Sequence, residues 1–155
     1  MHENYLKLNS DKTEFLSISR PSIQTSTADS NSSQISIGDC IIPVVESARN
    51  LGVIFDSSMN FNKHISSVTK SCFLQLRQIS KIRKYLDVDS AKTLVNASII
   101  SRLDYCNSLL YGLPTTPLKR LQKIQNTAAR IITKTKLHDH ISPILRELHW
   151  LPVRK

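Results

Sequence analysis

The stretch NKHISSVTKSCFLQLRQISKIRKYL, residues 62–86, decides how the chain is read. Its apolar side chains, Ile65, Val68, Cys72, Leu76, Ile79 and then Ile82 or Leu86, return at steps of three and four residues. That is the period of a helix with one buried face, so the spacing predicts an amphipathic helix of about six turns. On the opposite side Lys63, Lys70, Arg77 and Lys84 fall seven residues apart, with Lys81 and Arg83 close by. Seven residues is about two turns, which sets these cations in a line. No acidic residue stands between Asp56 and Asp87, so no i,i+4 pair neutralises the row.

Helical periodicity continues downstream. A second helix begins near Asp87-Val88-Asp89-Ser90, where either Asp can cap, and runs through Leu94, Val95, Ile99 and Leu103. Tyr105 to Tyr111 either continues it or starts a short third helix, closed by Gly112 and Pro114. Thr116-Pro117 reads as a cap followed by proline at the first helical position, opening a helix with Leu118, Leu121, Ile124, Ala128 and Ile131 or Ile132 inward. Ser142-Pro143 repeats that signature before Ile144 to Trp150. Acidic residues are again absent from Asp104 to Asp139, leaving Lys119, Arg120, Lys123, Arg130, Lys134 and Lys136 unopposed.

Upstream of residue 61 the period shortens to two. Glu14 to Ser19 alternates, as does Ile35-Ser36-Ile37; Ile41 to Val45 is mostly apolar, and Leu51 to Phe55 suits a buried strand. Gly38-Asp39 is placed to turn a hairpin, whereas residues 19–34 are so polar and Ser/Thr-rich that they read as a loop. The expected fold is α+β: a small N-terminal antiparallel β region over residues 1–60, then a mainly α-helical bundle over 61–155.

Charge follows the same division. The 155 residues carry a net +9. Residues 1–60 hold four Lys+Arg and seven Asp+Glu (net −3), and residues 61–155 hold seventeen and five (net +12). Two acid-free basic helices point to a polyanion, of which nucleic acid is the usual one. The competing reading is a solvated face that serves solubility.

Other chemistries find little support. The glycines Gly38, Gly52 and Gly112 are too scattered for a dinucleotide turn or a phosphate-binding loop. Cys40, Cys72 and Cys106 lie more than thirty residues apart, fitting reduced, packed thiols of an intracellular protein, with nucleus and cytoplasm left open. No apolar run approaches the ~18 residues of a membrane helix, and the start lacks a secretory leader, so no membrane partner is expected. Asp87 and Asp89 sit at a helix start, where capping explains them better than metal binding. His138-Asp139-His140 offers two imidazoles without third and fourth ligands nearby, so no metal site is assigned.

Particular blocks go further. NYLKLNSDKTE (4–14), NLGVIFD (50–56) with Phe61 and His64-Ile65, SRLDYCNSL (101–109) with Gly112-Leu113-Pro114, LQKIQNTAAR (121–130), His140-Ile141 and LHWLP (148–152) occur in that order. Together they resemble the C-terminal part of LINE-type, non-LTR (jockey-like) retrotransposon reverse transcriptases. The resemblance implies an RNA-directed DNA polymerase of a mobile element, of which this chain is the end of the palm, the thumb and the region beyond. Lys12 would be the general acid that protonates the leaving pyrophosphate, and Leu51, Gly52 and Val53 the primer grip. Lys63, Lys70, Arg77, Lys81, Arg83, Lys84, Lys119, Arg120, Lys123 and Arg130 would hold RNA–DNA or other duplex nucleic acid, the expected partner.

The catalytic aspartates and their Mg²⁺ would belong ahead of residue 1, and the family pattern runs on past Lys155. The expectation is therefore a fragment with no cofactor of its own, inactive alone, that retains at most template–primer binding. The alternatives are a non-catalytic nucleic-acid-binding module or a remnant without function. LGVIFDSSMNFNKHI is also similar to a short N-terminal segment of the AlkB-like homologue eight, but no His-x-Asp iron pair exists among the five histidines. The oligomeric state is not set by the sequence.

Overall fold

The computed structural model of the chain describes residues 9, 12–18, 34–38 and 40–153. Most of the polar 19–34 stretch, most of the 4–14 block and Asp39 lie outside the described residues. The architecture is α+β: two small antiparallel hairpins followed by helices, with the chain dividing into compact units at 1–63 and 64–155.

In the first unit β1 (Gln34–Ile37) pairs with β2 (Cys40–Pro43), Ile37 opposite Cys40. The strand expected over 14–19 is reduced to a single parallel bridge, Phe15 to Val44, with Val45 N donating to the Phe15 carbonyl at 2.8 Å. The expected strand 51–55 is also corrected. Leu51 and Gly52 form the two-residue turn between β3 (Ser47–Asn50) and β4 (Val53–Asp56), with φ of 46° and 88°. Two consecutive positive φ values match the twist of paired strands, and glycine takes the second without strain.

Asp56 ends β4 and organises the exit. Its carboxylate accepts the backbone N–H groups of Asn60 (3.0 Å) and Phe61 (2.8 Å) and the Ser58 hydroxyl (2.8 Å). These bonds hold Phe61 at a φ of 55° with its ring edge-on to Phe55, centroids 5.7 Å apart. Burial resists charging of Asp56, but the bonds from Asn60, Ser58 and Phe61 outweigh it and hold the carboxyl below its ordinary range. Asn60 Oδ1 then accepts the Asn62 N–H at 2.9 Å, satisfying a donor at the start of α1 (Asn62–Ile82).

In the second unit α1 buries Ile65, Cys72, Leu76 and Ile79 of the expected stripe, whereas Val68 and Leu86 are half-buried and Ile82 is exposed. Asp87 is the residue that caps α2 (Val88–Val95), its carboxylate accepting the Ser90 N–H at 2.8 Å. The helix continues through a wide π turn (Asn96–Ile100) into α3 (Ser101–Asp104). Ala91, Val95, Ile99 and Leu103 are all buried. A strict four-residue repeat drifts ~40° per step on an α-helix, and the wider turn takes up that drift so that all four face inward. Arg102 donates to Ser71 Oγ at 2.6 Å, and the Gln75 amide, oriented to satisfy both its ends, donates to the Ser98 carbonyl at 2.8 Å. These paired contacts run α1 and the 88–104 helix antiparallel.

A 3₁₀ turn (Asn107–Leu110) and Gly112, at φ 79°, lead into α4 (Thr115–Thr133). Thr116 is not the cap: the helix starts at Thr115, two residues earlier than expected, with Pro114 in the capping position, and Pro117 sits third. The first-turn N–H groups have no intrahelical partner, so proline costs no bond there. The same holds for Pro143 in α5 (Ile141–Glu147), where His140 rather than Ser142 precedes the helix. Leu121, Ile124, Ala128, Ala129 and Ile132 of α4 join Ile144, Leu145 and Leu148 in the core.

Candidate nucleic-acid interface

On an α-helix of 3.6 residues per turn, Lys70, Arg77 and Lys81 project on the side of α1 opposite Cys72 and Leu76. All three are exposed. Lys84 extends the row into the following 3₁₀ turn (Arg83–Tyr85), its Nζ 4.7 Å from the centroid of the Tyr85 ring. Successive heptad positions stand about 10 Å apart along the axis. Lys70, Arg77, Lys81 and Lys84 enter no ion pair among the described residues. Lys63 differs: it belongs to the first unit, where its Nζ lies 3.3 Å from Glu46 Oε2 and 3.2 Å from Ser47 Oγ.

The basic residues of α4 divide by use. Lys119 and Lys123 are exposed on the side away from Leu121 and Ala128. Arg120 donates to Ser66 Oγ at 3.1 Å. Arg130 donates to the carbonyls of Lys136 (2.6 Å) and Asp139 (2.9 Å), fixing the loop after the helix. With Arg120 joined to the start of α1 and Arg83 to the end of α4, the two helices lie side by side and run the same way. Each turns its basic row away from its buried stripe and toward solvent.

Arg83 has to be separated from the expected phosphate ligands. It is buried, with Nε donating to the Ile131 carbonyl (2.9 Å), Nη2 to Ile132 (2.6 Å) and Nη1 to Leu86 (2.7 Å). Ile131 and Ile132 lie in the last turn of α4, where helix carbonyls lack intrahelical donors, and Lys134 follows the helix in the left-handed region at φ 56°. A planar guanidinium with a rigid fork fits that task, and a buried one has no path to a solvent-side phosphate.

The remaining expected residues lie elsewhere. Lys12 is exposed in a short turn, its N–H donating to the Asn9 carbonyl at 3.2 Å. Leu51 and Gly52 are exposed at the hairpin tip, but the Val53 side chain is buried in the first unit, so only its backbone is placed as a primer-grip reading would need. Among the described residues no three His, Cys, Asp or Glu side chains gather around a common point.

One site went unread in the sequence. A groove of about 770 Å³ at one end of the second unit is lined by the 107–113 turn on one side and by 149–153 on the other. Gln125, buried on α4, donates to the Leu151 carbonyl at 2.8 Å, and Gln122 Oε1 accepts the Val153 N–H at 2.8 Å. The signal was two glutamines on the flank of an otherwise apolar stripe, since a buried amide needs partners. No protein-family model, no curated protein and no solved structure matches the chain.

Proposed function

We propose that the helical unit holds the phosphate backbone of a nucleic-acid duplex without reading its sequence, as the thumb region of the LINE-type reverse transcriptases it resembles would hold a template–primer. The observation that carries this reading is the solvent-facing, outer side of α1, its following turn and α4, where Lys70, Arg77, Lys81, Lys84, Lys119 and Lys123 are exposed and without carboxylate partners among the described residues. Ammonium and guanidinium groups on such a face displace the counterions condensed on a duplex, which supplies affinity but no base preference. These residues bind and orient a duplex; the chemistry of nucleotide addition lies outside what they can do.

The test is fluorescence anisotropy with a labelled RNA–DNA heteroduplex between about 50 and 200 mM salt. Six phosphate contacts predict a slope of log K against log salt near −5. Changing Lys70, Arg77, Lys81 and Lys84 together to Gln removes about 3.6 from that slope and leaves the melt unchanged. Absence of binding at the low-salt end ends the proposal, and an unaltered slope in the variant reduces the face to a solvated surface.

A further inference from the structure

The groove beside Trp150 has fixed walls. One wall turns through Cys106, at φ 54°, the 3₁₀ segment and Gly112. The other is tied down by the two α4 glutamines and by Trp150 N donating to the Leu145 carbonyl at 2.8 Å. Its volume of about 770 Å³ falls in the ~300–1,000 Å³ range of small-molecule sites. Ile100, Leu103 and Leu118 give it an apolar floor. Tyr111, at 95% exposure, and the half-buried Trp150 supply aromatic faces.

We propose that this groove receives an unpaired nucleobase from a strand end adjoining the duplex, an inference that rests on the phosphate-binding reading of the outer face. An unpaired base presents two flat π faces and an edge of donors and acceptors. The groove offers the matching set. Tyr111 and Trp150 stack, Asn107, Ser108 and His149 exchange hydrogen bonds, and the Asp104 carboxylate accepts from an exocyclic amino group. The polar groups of the lining favour a nucleobase over an apolar occupant; the lining holds no Lys or Arg and one carboxylate, Asp104, so the cations for a nucleotide's phosphate stand outside it. Lys119 stands one helical turn beyond Thr115, itself part of the lining, and residues 61–155 carry a net +12, from seventeen basic and five acidic residues.

Trp150 is the only tryptophan, so its emission reports on the groove directly. The experiment titrates the full chain with a blunt RNA–DNA heteroduplex and with the same duplex bearing a short single-stranded 3′ overhang. The overhang is expected to quench Trp150 and to tighten binding about tenfold. Tyr111→Ala should abolish the tightening while keeping the blunt-duplex affinity and its salt slope. If the overhang duplex saturates by anisotropy with Trp150 emission and affinity equal to the blunt duplex, the groove is not a base site and the outer-face reading survives. If the blunt duplex does not bind, the outer-face reading falls, and a short oligodeoxyadenylate then tests the groove alone. Absence of quenching by that oligonucleotide, or quenching only by an aromatic or proline-rich peptide, overturns the inference.

Discussion

Replacing Arg83 by methionine tests whether a cation in the basic row is structural. The guanidinium reaches three backbone carbonyls, Leu86, Ile131 and Ile132, at 2.6 to 2.9 Å from a buried position. Hydrogen bonds from a charged donor contribute about 1.5–3 kcal/mol each, and such contributions within one cluster are not additive. Methionine keeps much of the side-chain volume, so the cost is dominated by carbonyls left without donors, and about 3 kcal/mol is expected. For a unit of this size that lowers Tm by roughly 12–24 °C. Thermal and urea unfolding followed by Trp150 emission, which lies in the same unit, measures it; Arg83→Lys should recover only part, because one ammonium cannot replace the fork. Arg77→Met, from an exposed position on the same helix, should fall within about 0.5 kcal/mol of the parent. If Arg83→Met also stays within that margin, the α4 terminus does not depend on Arg83 and the reasoning fails.

Lys134→Gly should stabilise the second unit by about 1 kcal/mol, because Lys134 ends α4 in the left-handed region, where glycine carries no Cβ penalty; a lower Tm would refute this. The Asp56 carboxyl is held below its ordinary range, so the stability it contributes is present above pH ~4 and is lost as pH falls through the lower folded value. The amide resonances of Asn60 and Phe61 should report that titration, and Asp56→Asn should remove it; a midpoint at or above the ordinary value contradicts the hydrogen-bond account. Burial pushes the Cys72 thiol up, with Arg102 opposing only in part, so brief iodoacetamide treatment of the native chain should modify the half-buried Cys40 and Cys106 and spare Cys72 until denaturant is added. Equal labelling of all three, read by mass spectrometry, would show that α1 does not shield it.

Periodicity reads what lies on one element, and contacts between elements are a different kind of information. The stripe from Ile65 to Ile79 was legible because burial of one helical face needs only a repeat near 3.6. The hairpin β3–β4 was half legible: Val53 to Phe55 has strand character, but Ser47 to Asn50 has no alternation, and Leu51 reads as strand although its backbone makes the turn. Proline misplaced two helix starts by two residues each, since it is accepted anywhere in the first turn. The π turn was present as the four-residue steps from Ala91 to Leu103, a spacing slightly too long for an α-helix. The basic face was legible as a row of cations. Its division into Lys63, Arg83, Arg120 and Arg130, which bond within the protein, and Lys70, Arg77, Lys81, Lys84, Lys119 and Lys123, which form no hydrogen bond or ion pair among the described residues, depended on which oxygens the fold brings near.

That division bears on how the function can be tested. Two unit charges about 10 Å apart in water repel by ~0.4 kcal/mol, and a Debye length near 8 Å at physiological salt reduces this further. The row Lys70, Arg77, Lys84 therefore costs the fold little, and its persistence without acidic partners requires no compensating interaction. A face kept for solubility and a face kept for phosphates have the same folding energetics, so no melting experiment on the isolated chain can separate them. Counterion release does separate them, because each cation that meets a phosphate adds to the salt slope and each that remains solvated adds nothing. The arginines already bonded to backbone or serine oxygens should drop out of that count. A slope carried by the lysines and Arg77, and insensitive to Arg130, is the particular result that the geometry of this face demands.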